Sequence, residues 1–188
     1  AGADGAQGAQ GVQGVSGSLA GGYFYQSGGT GTTSGGTNGN GTYGTGVLPL
    51  FYTGSTYSSA GAPAPTLSGN GVTLSQGVWV ITYTVQGDAI DGSGGITWMQ
   101  ASLSTSTSSG NTVLGSKTWT FQPPANNTIT QMTRSITLTV PSGGQTFYIW
   151  MDPTSGTSNT IYVDPSQTGT TSPSNVNVVW SMNVTRVQ

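Results

Sequence analysis

"GVWVITYTV" occupies residues 77–85 and alternates two kinds of side chain. Trp79, Ile81, Tyr83 and Val85 share one face, and Val80, Thr82 and Thr84 share the other. Period-two alternation of this kind predicts a β-strand with one buried face. The same period recurs downstream. "RSITLTV" sets Ile136, Leu138 and Val140 against Ser135, Thr137 and Thr139. "FYIWM" sets Phe147, Ile149 and Met151 against Tyr148 and Trp150. "NVNVVWSMNVTRV" places Val176, Val178, Trp180, Met182 and Val184 on one face. Its other face carries Asn177, Val179, Ser181, Asn183 and Thr185.

Shorter candidates are "VLPLFY" (47–52), "GVTL" (71–74), "ITWMQASL" (96–103), "KTWTF" (117–121) and "TIYV" (160–163), so about nine strands are expected. Turn-forming clusters separate them: Ser68-Gly69-Asn70-Gly71, Asp91-Gly92-Ser93-Gly94-Gly95, Pro141-Ser142-Gly143-Gly144 and Pro165-Ser166-Gln167. No segment has a helical period. Many short antiparallel strands with polar turns predict an all-β sandwich or jelly roll.

Ahead of these strands the pattern changes twice. From Gly2 to Gly17 the chain reads "GADGAQGAQGVQGVSG", with glycine at Gly2, Gly5, Gly8, Gly11, Gly14 and Gly17. Three polyproline-II-like chains wind together when each brings a glycine to the crowded axis every third residue, so this register predicts a collagen-like segment over 1–19. The repeat has no proline to stiffen it, and about 17 residues at roughly 3 Å each span only about 50 Å. Such a segment needs its three chains gathered elsewhere, so a homotrimer is expected, with its trimerising element downstream. Residues 20–46 are rich in Gly, Thr and Ser and predict a linker. Tyr23, Phe24 and Tyr25 interrupt it, either as an aromatic plug between three chains or as a short strand docking on the domain that follows. The head domain is expected over 47–188.

Composition narrows the function. The 188 residues hold three Lys and Arg, five Asp, no Glu, no His and no Cys. So few cations argue against nucleic-acid binding. No apolar run reaches the roughly 20 residues that span a bilayer. Without His or Cys there is no Ser-His-Asp or Cys-His nucleophile and almost no zinc chemistry. The aspartates Asp88 and Asp91 share one glycine-rich turn whose spacing is not that of an EF-hand loop; they read as turn formers, with an oxygen-ligated calcium site as the alternative. No catalytic residue, metal or cofactor is expected, and the chain does not read as an enzyme. Lys117 reads as solvated, and Arg134 as a structural partner of Asp152 or Asp164.

"VTLSQGVWVITYTVQG" (72–87) resembles the early core strand of the tumour-necrosis-factor/C1q-like jelly rolls, and "VVWSMNVTRVQ" (178–188) resembles their last strand. The resemblance implies a jelly-roll head whose last strand lies in the middle of a trimer-forming sheet. It places Val179, Ser181 and Arg186, with Tyr23, Phe24 and Tyr25, at the interface between subunits. More narrowly, the collagen-like run, the Gly/Thr-rich connector and the nearly uncharged head resemble the trimeric vertex spikes of tectiviruses, bacteriophages with an internal membrane. That resemblance implies a structural spike at the virion surface, active in attachment or spike assembly. It also implies a missing N-terminal part that anchors the spike to other vertex or capsid proteins. The rival reading is a carbohydrate- or receptor-binding module of a phage fibre or a bacterial surface glycoprotein, with Trp98, Trp119 and Trp150 as stacking residues for a host glycan.

Overall fold

A computed structural model describes residues 19–27, 41–43, 46–50, 52–59, 62–88, 96–108, 111–121, 129–155, 161–163 and 178–187. The collagen-like glycines Gly2 to Gly17 lie outside the described residues, as does Asp91. The described strands are β1 (Ala20–Ser27), β2 (Gly41–Tyr43), β3 (Gly46–Leu48), β4 (Tyr52–Ser58), β5 (Thr66–Ser68), β6 (Gly71–Leu74), β7 (Gly77–Asp88), β8 (Ile96–Ser104), β9 (Thr118–Phe121), β10 (Ile129–Val140), β11 (Gln145–Ser155), β12 (Ile161–Val163) and β13 (Val178–Arg186). Among the described residues there is no helix, as the period-two pattern predicts.

The strands form two antiparallel sheets. One runs β2-β12-β7-β13-β1-β4, with β10 on the other flank of β7. The second runs β5-β6-β11-β8-β9, with β3 also on β11. The last strand, β13, is therefore central: β7 lies on one side and β1 on the other.

The apolar faces of the two sheets form one core. From the first sheet come Trp79, Ile81, Tyr83 and Val85 of β7, Trp180, Met182 and Val184 of β13, and Phe24 of β1. From the second come Val72, Leu74, Ala101, Leu103, Phe147, Ile149 and Met151. Each large aromatic with a polar tip finds a backbone carbonyl for it. Trp79 Nε1 donates to Ser75 O (2.8 Å), and Trp180 Nε1 crosses to Pro49 O (2.6 Å). The Tyr83 hydroxyl reaches Ala101 O (3.0 Å) and Ser116 O, sharing its one hydrogen between them. A buried donor without a partner is expensive, so these bonds hold the sheets in one relative position.

The loop between β8 and β9 is fastened by Ser116, whose buried hydroxyl donates to Val113 O (2.7 Å) and accepts from Leu103 N (3.0 Å). Arg134 secures it from outside. Its Nε and Nη2 both donate to Gly115 O (3.1 and 2.9 Å), so its partner is a carbonyl, in place of the expected aspartate. The β10–β11 hairpin turns through Pro141-Ser142-Gly143-Gly144, where both glycines have positive φ (98° and 79°). A Cβ on Gly144 would also lie 2.7 Å from Leu74 O, which leaves no alternative to glycine there.

The head begins earlier than expected. Residues 20–27, the start of the expected linker, form β1, hydrogen-bonded to β13 and β4, so Tyr23, Phe24 and Tyr25 lie on a docked strand, one of the two alternatives for them. Conversely "VLPLFY" is not one strand: Val47 and Leu48 end β3, Pro49 and Leu50 lie outside any strand, Tyr52 begins β4, and Phe51 lies outside the described residues.

Candidate subunit interface

The register of the first sheet lays out its outer face in rungs. Side chains alternate along a strand, so the residues between the core positions point outward. One rung runs Tyr52, Tyr25, Ser181, Thr84, Thr133. The next holds Tyr23, Asn183, Thr82 and Ser135. The third runs Tyr57, Gly21, Thr185, Val80, Thr137. At the end, Val187 N donates to Val78 O (2.8 Å), and Ser59 N donates to Leu19 O (2.7 Å), which extends the sheet by one further row. No acid or base other than tyrosine falls on these rungs.

This face has an aromatic side and a hydroxyl side. Tyr23 stacks on Tyr25 with ring centroids 5.4 Å apart, and Tyr25 stacks on Tyr52 at 5.5 Å. Tyr57 lies against the backbone of Gly21, where a Cβ would sit 2.5 Å from its ring. On the hydroxyl side Thr82 pairs with Ser135 (2.7 Å) and Thr84 with Thr133 (3.1 Å) across β7 and β10. Cross-strand pairs of this kind stiffen the surface without adding charge.

Six large hydrophobic side chains are exposed among the described residues. Four of them, Leu19 (51%), Tyr57 (51%), Val187 (49%) and Tyr52 (39%), belong to this sheet or its immediate ends. Three of the four gather at the end where the glycine-repeat segment joins β1.

Of the expected interface residues, Tyr23, Tyr25 and Ser181 lie on this outer face. Phe24 does not: it alternates with the tyrosines and is wholly buried in the core. Arg186 shares the parity of Trp180, Met182 and Val184, so it belongs to the inner side of the sheet, at the strand's end. The side chain of Val179 lies outside the described residues, as does that of Trp98. Leu19, Tyr52, Tyr57 and Val187 were not anticipated. They become neighbours only through the β4–β1–β13 pairing, and β4 has a fully exposed, glycine-interrupted sequence that gives no strand signal.

The chain matches no family model and no curated protein. Its fold is similar to that of a solved structure described as Eiger TNF from S. frugiperda, with a TM-score of 0.50 and 12% identity. The match covers 90% of this chain and 93% of that one. The chain thus has a TNF-like jelly-roll fold.

Proposed function

We propose that this chain is the distal part of a viral vertex spike, a homotrimeric head carried on a collagen-like stalk at the virion surface. The observation that carries the reading is the outer face of the first sheet. It is uncharged, edged with stacked tyrosines, and richest in exposed apolar groups where the glycine-repeat segment enters. A triple helix needs three chains brought together at that same end. Copies packed through this face bring Leu19 of each chain close to its counterparts and hand three aligned strands to the repeat. The role is structural, with no catalysis. Other vertex or capsid proteins hold the spike through a part N-terminal to the repeat, and the head serves attachment or spike assembly.

The test is the mass of the intact chain in solution. We expect a value near three times 19.0 kDa. Asn183→Arg places a cation in the middle of the face, on a side chain exposed in the single chain. It should lower the mass toward that of one chain and leave the circular dichroism of the head unchanged. A wild-type monomer at micromolar concentration refutes the oligomeric reading. Antibodies raised against the head should decorate the vertices of intact particles, and uniform or absent decoration refutes the placement.

A further inference from the structure

The second sheet also has an outer face, and its chemistry differs from that of the proposed interface. Trp119 lies on β9, the terminal described strand of that sheet, and is 63% exposed. Its cross-strand partner on β8 is Gln100, whose partner on β11 is Asp152. One row along, Ser102 of β8 faces Trp150 of β11. Ala101, Leu103 and Met151 are buried in the core, so Gln100, Ser102, Trp119, Trp150 and Asp152 all share the outward side. From strand spacing of about 4.8 Å and a rise of about 3.3 Å per residue, the two tryptophans stand about 12 Å apart. Gln100 and Trp150 are half-buried and Ser102 is wholly buried, so Trp119 is the most exposed ring of this surface.

We infer that this surface binds a neutral, equatorially substituted pyranose oligomer. A pyranose offers an apolar C–H face, which an indole ring covers, and a rim of hydroxyls that both donate and accept. Gln100 supplies both functions through one amide, and a carboxylate oxygen of Asp152 accepts. The backbone spacing of the two tryptophans exceeds one sugar ring, so the ligand is an oligomer with one ring on exposed Trp119 and the rest running toward Trp150. The charges around the site balance: Asp152 lies on one side and exposed Lys117, two residues before Trp119, on the other, while Arg134 is committed to Gly115 O and Arg186 lies on the other sheet, so no net charge favours an ionic glycan. The site lies on the sheet opposite the proposed interface, and nothing in it depends on oligomerisation.

The test is a titration of the intact chain with cellotetraose and, separately, chitotetraose, read by tryptophan emission. A saturable change with either is expected. Trp119→Ala should weaken binding about tenfold or more, and Gln100→Ala about fivefold, the equivalent of one hydrogen bond. Trp119 is mostly solvent-exposed, so its replacement leaves the fold intact, and an unchanged melting temperature verifies this. Leu114→Ala, an exposed apolar group elsewhere, should bind as wild type does. No saturable change with either oligomer, or an undiminished response in Trp119→Ala, overturns the assignment.

Discussion

Replacing Tyr83 by Phe tests whether the core is pinned across its width by one hydroxyl. Tyr83 is wholly buried in the middle of β7, and its hydrogen serves the carbonyls of Ala101 and Ser116. Phenylalanine fills the same space less one oxygen, so buried apolar area hardly changes. What disappears is a hydrogen bond worth about 1 kcal/mol, and two buried acceptors lose a donor, at about 1–3 kcal/mol when unmet. A loss of about 2 kcal/mol is expected near pH 8, or roughly 4–8 °C in melting temperature for a domain of this size.

The same substitution carries a pH signature. Burial pushes the Tyr83 phenol well above its ordinary value of 10.0, and the positive charge of Arg134 offsets only part of this. Above that ordinary value the unfolded chain releases the proton while the folded chain keeps it. The folded state then binds more protons, so stability falls as pH rises, by about 1.4 kcal/mol per pH unit. Phenylalanine has no such proton. The advantage of wild type over Tyr83→Phe should therefore be constant below about pH 10 and vanish near pH 11.5. Guanidinium unfolding of both proteins across this range measures it. Equal stability at neutral pH, or a difference that ignores pH, refutes the reasoning.

Trp180→Ala should cost about 3–5 kcal/mol in chemical unfolding, because it empties a wholly buried site and leaves Pro49 O without the indole donor. Ser116→Ala should cost about 1–3 kcal/mol, visible also as faster amide exchange at Leu103, whose N–H loses its acceptor. Gly71→Ala drives a Cβ to 2.7 Å from the Phe147 carbonyl and should cost about 1–3 kcal/mol, whereas Gly21→Ala meets only the movable ring of Tyr57 and should cost less than about 1 kcal/mol. A peptide of residues 1–19 should show no cooperative melting by circular dichroism, since the proline-free repeat is too short to hold three chains unaided.

The strands with regular alternation were legible. β7 and β11 bury the residues that their period assigned to the core, and β13 buries Trp180, Met182 and Val184; Val176 and the side chain of Val178 lie outside the described residues. In β10 the pattern holds less fully: Val140 is buried but Ile136 and Leu138 are only partly so. β4 was illegible, and β1 was legible only as one reading of its three aromatics, for a physical reason. Gly21 and Gly22 are sites of close approach, taken up by the ring of Tyr57 and by Phe24, Pro65 and Thr56. A strand that buries backbone leaves no hydrophobic period to read. The candidate interface inherits that blindness, since half of it is built on those two strands. Tyr23 and Tyr25 stood out by residue type alone. Leu19 and Val187, far apart in sequence, needed the register to bring them side by side.

β1 is joined by hydrogen bonds to β13 on one flank and β4 on the other, and the chain enters it directly from the glycine repeat. A pull applied to the chain ahead of Leu19, along the strand, is a tension along the length of β1. Loaded in that direction, the bonds on both flanks are in shear and must yield together. The same force applied across the sheet would open them singly, like a zip. A tug on the chain leading into β1 thus meets the summed strength of two seams at once.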